Sequence, residues 1–227
     1  MALIYDATLR PTKTEMIAAW LPGTDWFTGP ARPEVERVAA FRWDDPDGEV
    51  GIETHLVSVD GAVLQVPLTY RAAPLAGADA YLLGTMDHSV LGQRWVYDAV
   101  GDPVYAAALA AAVLDGQDQA EQLTPDGHVL PPTVALTGTG YPEGQDLVEG
   151  LDDGPDGPAS TLTAAGLVFS VLRKPDLDGP AVQAPALTAT WAGQDVPVVL
   201  AYVSGQQPGA GDGIDAAGPG AGTDTAG

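Results

Sequence analysis

The stretch that says most about the architecture is VGIETHLVSVDGAVLQVPLTYR, residues 50–71. Its central dipeptide, Asp60-Gly61, is typical of a two-residue hairpin turn. On both sides of the turn, apolar side chains recur at alternate positions, as they do in half-buried strands. They are Val50, Ile52 and Leu56 before the turn and Leu64, Val66, Leu68 and Tyr70 after it. The pattern predicts a pair of antiparallel strands with one buried face.

Residues on either side of the hairpin extend this prediction. Residues 35–43 and 94–98 have strand patterns, and they lengthen the hairpin into an antiparallel meander. Thr12 and Glu15 have the spacing of a capping box, which predicts a helix that Pro22-Gly23 ends. Asp102-Pro103 predicts the start of a second, alanine-rich helix that ends at Gly116. The fold class that follows is α+β, with a curved antiparallel sheet wrapped around one or two helices.

The second half of the chain has weaker signals. Strand patterns at 167–172, 186–191 and 196–203 predict a small additional β region, as a second sheet or an extension of the first. Beyond Ser204 the chain is Gly, Ala, Pro, Asp and Thr, with Ile214 as its only large apolar residue. We therefore expect this tail to be disordered. The predicted organisation is a domain at 1–115, an irregular linker at 116–160, the β region at 161–203 and the tail at 204–227.

Composition excludes several classes of function. The chain of 227 residues contains nine basic and 31 acidic residues, so its formal charge is −22. Such a surface repels phosphate backbones and anionic membranes, so we expect neither nucleic-acid nor membrane binding. The absence of cysteine removes disulfides, thiolate metal sites and thiol nucleophiles. No signal-peptide pattern or apolar run long enough to cross a bilayer is present, which predicts a soluble cytoplasmic protein.

Motifs that carry catalysis or bind cofactors are missing from the sequence. None of the three histidines, His55, His88 and His128, is spaced from another as metal ligands are. No serine lies in a Gly-x-Ser-x-Gly elbow, and no phosphate-binding glycine loop is present. Carboxylate clusters such as Asp44/Asp45/Asp47 lie beside Gly or Pro, which favours a role in turns. We therefore expect no catalytic residue, metal or cofactor.

The best candidate for a binding surface lies in residues 87–98, which combine aromatic and charged side chains. Strand alternation places Arg94 and Asp98 opposite Trp95 and Tyr97. One interpretation makes the aromatic residues part of the core and pairs Arg94 with a carboxylate. The other makes this a face that binds sugar or protein. With an aromatic residue from an early loop, the candidate surface comprises Trp26, Arg71, His88, Arg94, Trp95, Tyr97 and Asp98.

Three segments carry a family resemblance: residues 7–22 with ATLRPTK and AAWLP, residues 66–71 with VPLTYR, and residues 91–98 with LGQRWVYD. Over about residues 1–115 they resemble the N-terminal cap domain of actinobacterial maltokinases and related aminosugar kinases. The resemblance implies a cystatin-like sheet around a helix. Kinases of this family continue into a helical lobe with a His-Gly-Asp loop. The histidines here precede Leu56, Ser89 and Val129, and we expect the chain to end where that lobe would begin.

Two classes of function follow from the resemblance. The first is a stand-alone, non-catalytic cap-like module that binds or regulates in maltose, trehalose or α-glucan metabolism, with an enzyme of that metabolism or an α-glucan as its partner. The alternatives are a carbohydrate-binding module that uses Trp26, Trp95 or Tyr97, and a small enzyme of glucan metabolism with a site, such as one at His88, that motifs do not reveal.

Overall fold

The computed structural model describes residues 2–3, 7–140, 157–179 and 182–207. Two α-helices lie in this part of the chain, α1 (Lys13–Trp20) and α2 (Pro103–Leu114). Single turns of 3-10 helix occur at Leu21–Gly23, Asp79–Tyr81 and Ala99–Gly101. The strands are β1 (Ala2–Leu3), β2 (Leu9–Arg10), β3 (Glu36–Trp43), β4 (Gly51–Val59), β5 (Ala62–Arg71), β6 (Leu82–His88), β7 (Gly92–Asp98), β8 (Gln122–Leu123), β9 (Val129–Leu130), β10 (Val134–Gly138), β11 (Ala159–Ala164), β12 (Leu167–Leu172), β13 (Ala186–Trp191) and β14 (Gln194–Gln206).

The first sheet is antiparallel and has six strands in the order β2-β6-β7-β5-β4-β3. The hairpin predicted at Asp60-Gly61 is confirmed, because β4 and β5 pair from Val59↔Ala62 to Gly51↔Tyr70. Both turn residues have positive φ, 49° for Asp60 and 81° for Gly61, as a two-residue turn of this kind requires. The predicted strands at 35–43 and 94–98 correspond to β3 and β7. Strand β6 had no clear alternating pattern and was not predicted.

Helix α1 packs on one face of this sheet. Its N-cap is Thr12, whose hydroxyl accepts a hydrogen bond from the Glu15 backbone N–H, while the Glu15 carboxylate accepts one from the Thr12 N–H at 2.8 Å. The predicted capping box is therefore confirmed, and it fixes where the helix begins. The α1 core consists of Met16, Ile17, Leu21, Val57, Val59, Leu64, Val66, Leu68, Met86 and Val96.

The opposite face of the first sheet is also buried, so the prediction of a single buried face is wrong. Helix α2 and a second sheet cover that face and form the central core with it. This core includes Phe41, Trp43, Ile52, Tyr105, Leu109, Phe169, Val171, Trp191 and Leu200. Strand β4 is consequently buried at most positions on both faces, and polar residues on it have neighbours from two directions.

The second sheet has five antiparallel strands in the order β10-β13-β14-β12-β11. Helix α2 starts at Asp102, as predicted, with the Asp102 carboxylate accepting from the Val104 N–H. Its alanines let the helix lie very close to β10. A Cβ atom added at Gly138 would lie 1.9 Å from the carbonyl oxygen of Ala112. The small side chains thus permit an approach that larger ones would prevent.

The two sheets meet where β7 ends and leaves part of β5 without a neighbouring strand. There the Gln65 N–H donates to the Arg173 carbonyl at 2.8 Å. The Gln65 side-chain amide donates to the carbonyls of Leu172 and Leu200, both at 3.0 Å. The backbone that follows β12 therefore completes the hydrogen bonding of β5, and the two sheets share one core.

Other parts of the predicted organisation correspond only partly to the structure. Strands β8, β9 and β10 and the start of β11 lie within residues 116–160, the predicted linker, whose residues 141–156 are outside the described residues. The last strand runs to Gln206, past the predicted end at residue 203. The predicted disorder of the tail lies outside the described residues from position 208 onward. The architecture is that of a mixed α+β protein rich in curled antiparallel sheet.

Candidate functional site

The seven residues of the predicted surface do not lie on one surface. Tyr97 and Asp98 are buried, with 2% and 6% of their area exposed. The Tyr97 hydroxyl accepts from the Leu75 N–H at 2.9 Å. The Asp98 carboxylate accepts from the wholly buried Arg173 guanidinium at 2.5 Å. Both side chains therefore lie in the interior and are not available to a ligand on the surface.

The remaining five residues divide between different places. Arg71 donates two hydrogen bonds, both 2.7 Å, to the carboxylate of Asp102 at the start of α2. Trp95 is half-buried and is the cross-strand partner of Arg71, so both lie on the face away from α1. Trp26 packs edge-on against Trp20, with ring centroids 5.8 Å apart. Only His88 and Arg94 come together, in a pocket on the α1 side of the sheet.

This pocket, which we call the Glu53 pocket, has a volume of about 670 Å³ and is open to solvent. Its wall is formed by the start of α1, the connection between β3 and β4, and the hairpin of β6 and β7. Its lining includes Lys13, Arg42, Asp44, Asp45, Glu49, Gly51, Glu53, Tyr70, His88 and Arg94. A pocket of this size is within the range that holds small organic ligands.

A buried carboxylate lies at the base of the pocket. Glu53 is only 5% exposed, and its carboxylate accepts a hydrogen bond from the Lys13 ammonium. The Nε2 atom of His55 lies 3.5 Å from the Glu53 carboxylate and 3.2 Å from the Tyr70 hydroxyl. The Lys13 ammonium also lies 5.4 Å from the centre of the Tyr70 ring. These contacts hold the four side chains in one arrangement.

The charge of Glu53 follows from its surroundings. Burial acts to raise the pKa of this carboxyl, but His55, Lys13 and Arg42 outweigh burial, and the pKa lies well below its usual range. Burial together with the Glu53 charge raises the pKa of Tyr70 well above its usual range. Glu53 is therefore ionised at neutral pH and Tyr70 keeps its proton. Neither group titrates near pH 7.

Basic side chains gather at the other end of the pocket, around His88. The His88 Nδ1 accepts from the backbone N–H groups of Val90 and Leu91, at 3.2 and 3.1 Å, so the neutral ring carries its proton on Nε2. Arg94 Nη2 donates to the Leu91 carbonyl at 2.8 Å. Burial, followed by the positive charges of Arg94, Lys13 and Arg42, lowers the pKa of His88. Burial and these three cations therefore disfavour the protonated form of the ring.

Acidic side chains form the opposite rim. Asp44, Asp45 and Glu49 belong to the connection between β3 and β4. Asp45 accepts from the backbone N–H groups of Asp47, Glu49 and Val50 at 2.8–3.1 Å, which confirms the predicted role of this cluster in a turn. The pocket therefore presents both hydrogen-bond donors and hydrogen-bond acceptors.

Most of this pocket, including Lys13, Arg42, Glu53 and Tyr70, was not predicted from the sequence. The available signal was the two-residue turn at Asp60-Gly61, because it pairs Glu53 with Leu68 and His55 with Val66 and so places both polar residues on the buried face that carries Tyr70. Charged and polar groups at such positions need partners, and the partners come from α1 and β3. The pairing of Arg42 with Glu53 across β3 and β4 depends on a strand register that spacing does not reveal.

In residues 7–140, 157–179 and 182–207, no group of three His, Asp or Glu side chains is arranged to hold a metal ion. Neither helix of the described segments has the length and apolar character needed to cross a membrane.

These residues define an α+β fold with a polar pocket between a capped helix and an antiparallel sheet. Residues 20–102 match the family model of the maltokinase N-terminal cap domain, which confirms the resemblance over that range. The match covers less than half of the chain, and it includes Arg42, Glu53, Tyr70, His88 and Arg94 but not Lys13. No curated protein matches the chain.

Proposed function

We propose that this chain is a non-catalytic binding module, similar to the maltokinase cap domain, that works in maltose, trehalose or α-glucan metabolism and binds a small saccharide in the Glu53 pocket. The observation that carries the proposal is the pocket itself. It brings donors, acceptors and aromatic rings into one concave space of about 670 Å³. The family match over residues 20–102 supports the metabolic context.

The chemistry of the pocket wall suits a ligand with many hydroxyl groups. Each hydroxyl both donates and accepts, so it is best satisfied where guanidinium and carboxylate groups lie close together. Arg42 and Arg94 supply donors, and Glu49 supplies an acceptor on the rim. The ring of Tyr70 offers an apolar surface between them, as the C–H face of a sugar requires.

The state of Glu53 favours binding over acid–base catalysis. A general acid or base works best when its pKa is near the working pH. The pKa of Glu53 lies well below its usual range and that of Tyr70 well above. The carboxylate is also engaged by Lys13. The sequence contains no His-Gly-Asp motif, which is the catalytic loop of the kinases that the chain resembles.

To test the proposal, an apolar side chain is placed in the pocket, which leaves the charged groups of the pocket unchanged. Gly51 lies beside Arg42 and Tyr70, and a Cβ atom there would meet them at 3.4 and 3.5 Å, which is ordinary contact. The variant Gly51→Val should fold and should abolish the heat of binding of maltose, trehalose or maltooligosaccharides in calorimetry. Gly205→Val is the matched control, because Gly205 lies in β14 and its nearest side chain, Val168, is 3.7 Å away. If the wild type binds none of these sugars, or if both variants bind equally well, the proposal fails.

The proposal also covers the type of fold, the location in the cell and the protein partner. We propose that the sheet around α1 is cystatin-like, that the module works in the cytoplasm, and that an enzyme of the same metabolism is its protein partner. Co-purification of the tagged chain with such an enzyme, identified by mass spectrometry and repeated with purified components, tests the partnership. Failure of the purified components to associate would remove it.

A further inference from the structure

The three cations that line the Glu53 pocket differ in how the protein engages them. The Lys13 ammonium donates to the Glu53 carboxylate, and Arg94 Nη2 donates to the Leu91 carbonyl at 2.8 Å. Arg42 donates to no acceptor in residues 7–140, 157–179 and 182–207, and its buried Nε atom has no partner there. Within the described part of the chain, Arg42 is thus the pocket cation that no protein group holds by a hydrogen bond.

The position of Arg42 makes this lack of a partner informative. The register of β3 and β4 places Arg42 directly opposite Glu53. The Glu53 carboxylate is nevertheless bonded to Lys13. Burial acts to raise the pKa of Glu53, and among the groups that lower it His55 and Lys13 come before Arg42. Arg42 therefore adds positive charge to the wall of the pocket without a carboxylate of its own.

The space beside this guanidinium is bounded by an aromatic ring. A Cβ atom added at Gly51 would lie 3.4 Å from Arg42 Nη2 and 3.5 Å from the Cδ2 atom of Tyr70. Gly51 lines the pocket and has no side chain to occupy this space. A ligand placed there would contact a charged donor and an apolar ring edge at the same time.

We propose that the saccharide bound in the Glu53 pocket is an acidic one, such as a hexuronic acid, whose carboxylate accepts hydrogen bonds from the Arg42 guanidinium. This inference deepens the proposed function and rests on it for the pocket and for the sugar part of the ligand. The planar guanidinium presents paired N–H groups whose geometry matches a carboxylate. The ring of Tyr70 would lie against the C–H surface of the sugar.

The charges of the pocket favour a carboxylate over a phosphate. Lys13 offsets the charge of Glu53, which leaves Arg42 with one positive charge and no carboxylate paired to it. The carboxylates of Asp44, Asp45 and Glu49 line the same pocket. They repel a dianion more strongly than a monoanion, because the energy grows with the product of the charges. A single carboxylate therefore matches Arg42 at the lower electrostatic cost.

The first experiment changes only the ligand. Isothermal titration calorimetry of the wild type at low salt would compare glucose, glucuronate and the uncharged methyl ester of glucuronate. We expect glucuronate to bind at least about tenfold more tightly than either neutral probe, since its contact with Arg42 is charge-assisted. Raising the salt should weaken glucuronate alone. Inorganic phosphate at the same concentration should not displace glucuronate.

Three variants then locate the carboxylate. Arg42→Met should remove the advantage of glucuronate over glucose, and Arg42→Lys should reduce it to about threefold or less, because an ammonium group lacks the planar pair of donors. Arg37→Lys is the matched control, since Arg37 is exposed, lies in the same strand and is outside the pocket, and it should keep the full advantage. Equal binding of glucuronate and its ester to the wild type, or an equal effect of Arg42→Lys and Arg37→Lys, would overturn the inference. The comparison with the ester decides the matter even if a variant does not fold.

The outcomes separate this inference from the proposed function. If maltose, trehalose or glucose binds and the carboxylate adds nothing, the saccharide proposal stands and the inference fails. If glucuronate binds through Arg42 and no neutral sugar binds, the carboxylate site stands and the role in maltose or trehalose metabolism fails. If inorganic phosphate displaces glucuronate, the pocket accepts anions in general and the inference fails. If no probe binds, both fail.

Discussion

Removal of the Arg173 guanidinium is the sharpest test of how the two sheets are joined. Arg173 is 0% exposed, and its side chain donates to the Asp98 carboxylate at 2.5 Å and to the Ser160 hydroxyl at 2.8 Å. Its guanidinium carbon lies 5.3 Å from the centre of the Trp26 ring. The change Arg173→Met keeps most of the apolar stem and removes all the charge. It leaves Asp98 as a buried carboxylate without its cation.

The expected cost follows from that loss. Removing one partner of a buried ion pair destabilises a protein by about 3–5 kcal/mol, because the remaining charge is uncompensated. For a domain of this size, 1 kcal/mol corresponds to about 2–4 °C, so the melting temperature should fall by about 6–20 °C. The double variant Asp98→Asn with Arg173→Met carries no buried charge at this place. It should therefore be more stable than Arg173→Met alone.

Urea unfolding followed by tryptophan fluorescence measures both variants, and Trp26 is beside the altered side chain. The pH dependence provides a second check. Burial raises the pKa of Asp98 even in the presence of Arg173, and without the cation it should rise further. An acid whose pKa is raised on folding loses stability as the pH increases, so Arg173→Met should be most unstable at high pH. A loss below about 1 kcal/mol, or a double variant no better than the single, would contradict this account.

Three further predictions concern other parts of the fold. Thr12→Ala removes the cap of α1 and should cost about 0.5–2 kcal/mol in the free energy of unfolding, measured by chemical denaturation; no loss would mean that the cap is unimportant. Gly138→Ala should destabilise by about 1–3 kcal/mol, since the methyl group would lie 1.9 Å from the Ala112 oxygen, whereas Gly205→Ala should have little effect. Folding lowers the pKa of Glu53, so its contribution is present above about pH 4.5 and is lost as the pH falls below that value. Thermal melts of Glu53→Gln should therefore show a weaker acid dependence than the wild type, and an unchanged dependence would place the effect elsewhere.

Short-range patterns in the chain were sufficient to predict most elements of the fold. The hairpin at Asp60-Gly61, the capping box at Thr12 and the start of α2 at Asp102 each depend on residues within a few positions of one another. Local conformational preference and side-chain spacing determine such features, so they are visible before any tertiary contact is known. Strand β6 lacked the alternation that marked its neighbours, and it was missed for that reason.

The pocket could not be predicted in the same way, because its residues come from distant parts of the chain. Lys13 and Glu53 are 40 positions apart and Arg42 pairs with Glu53 through the register of β3 and β4. Of the seven predicted surface residues, only His88 and Arg94 reach this pocket, while Tyr97 and Asp98 are buried. Alternation assigns a residue to one face of a strand, but it does not say what covers that face. Helix α1 packs on one side of the first sheet, and α2 with the second sheet packs on the other. This packing determines which polar groups line a pocket and which lie in the core.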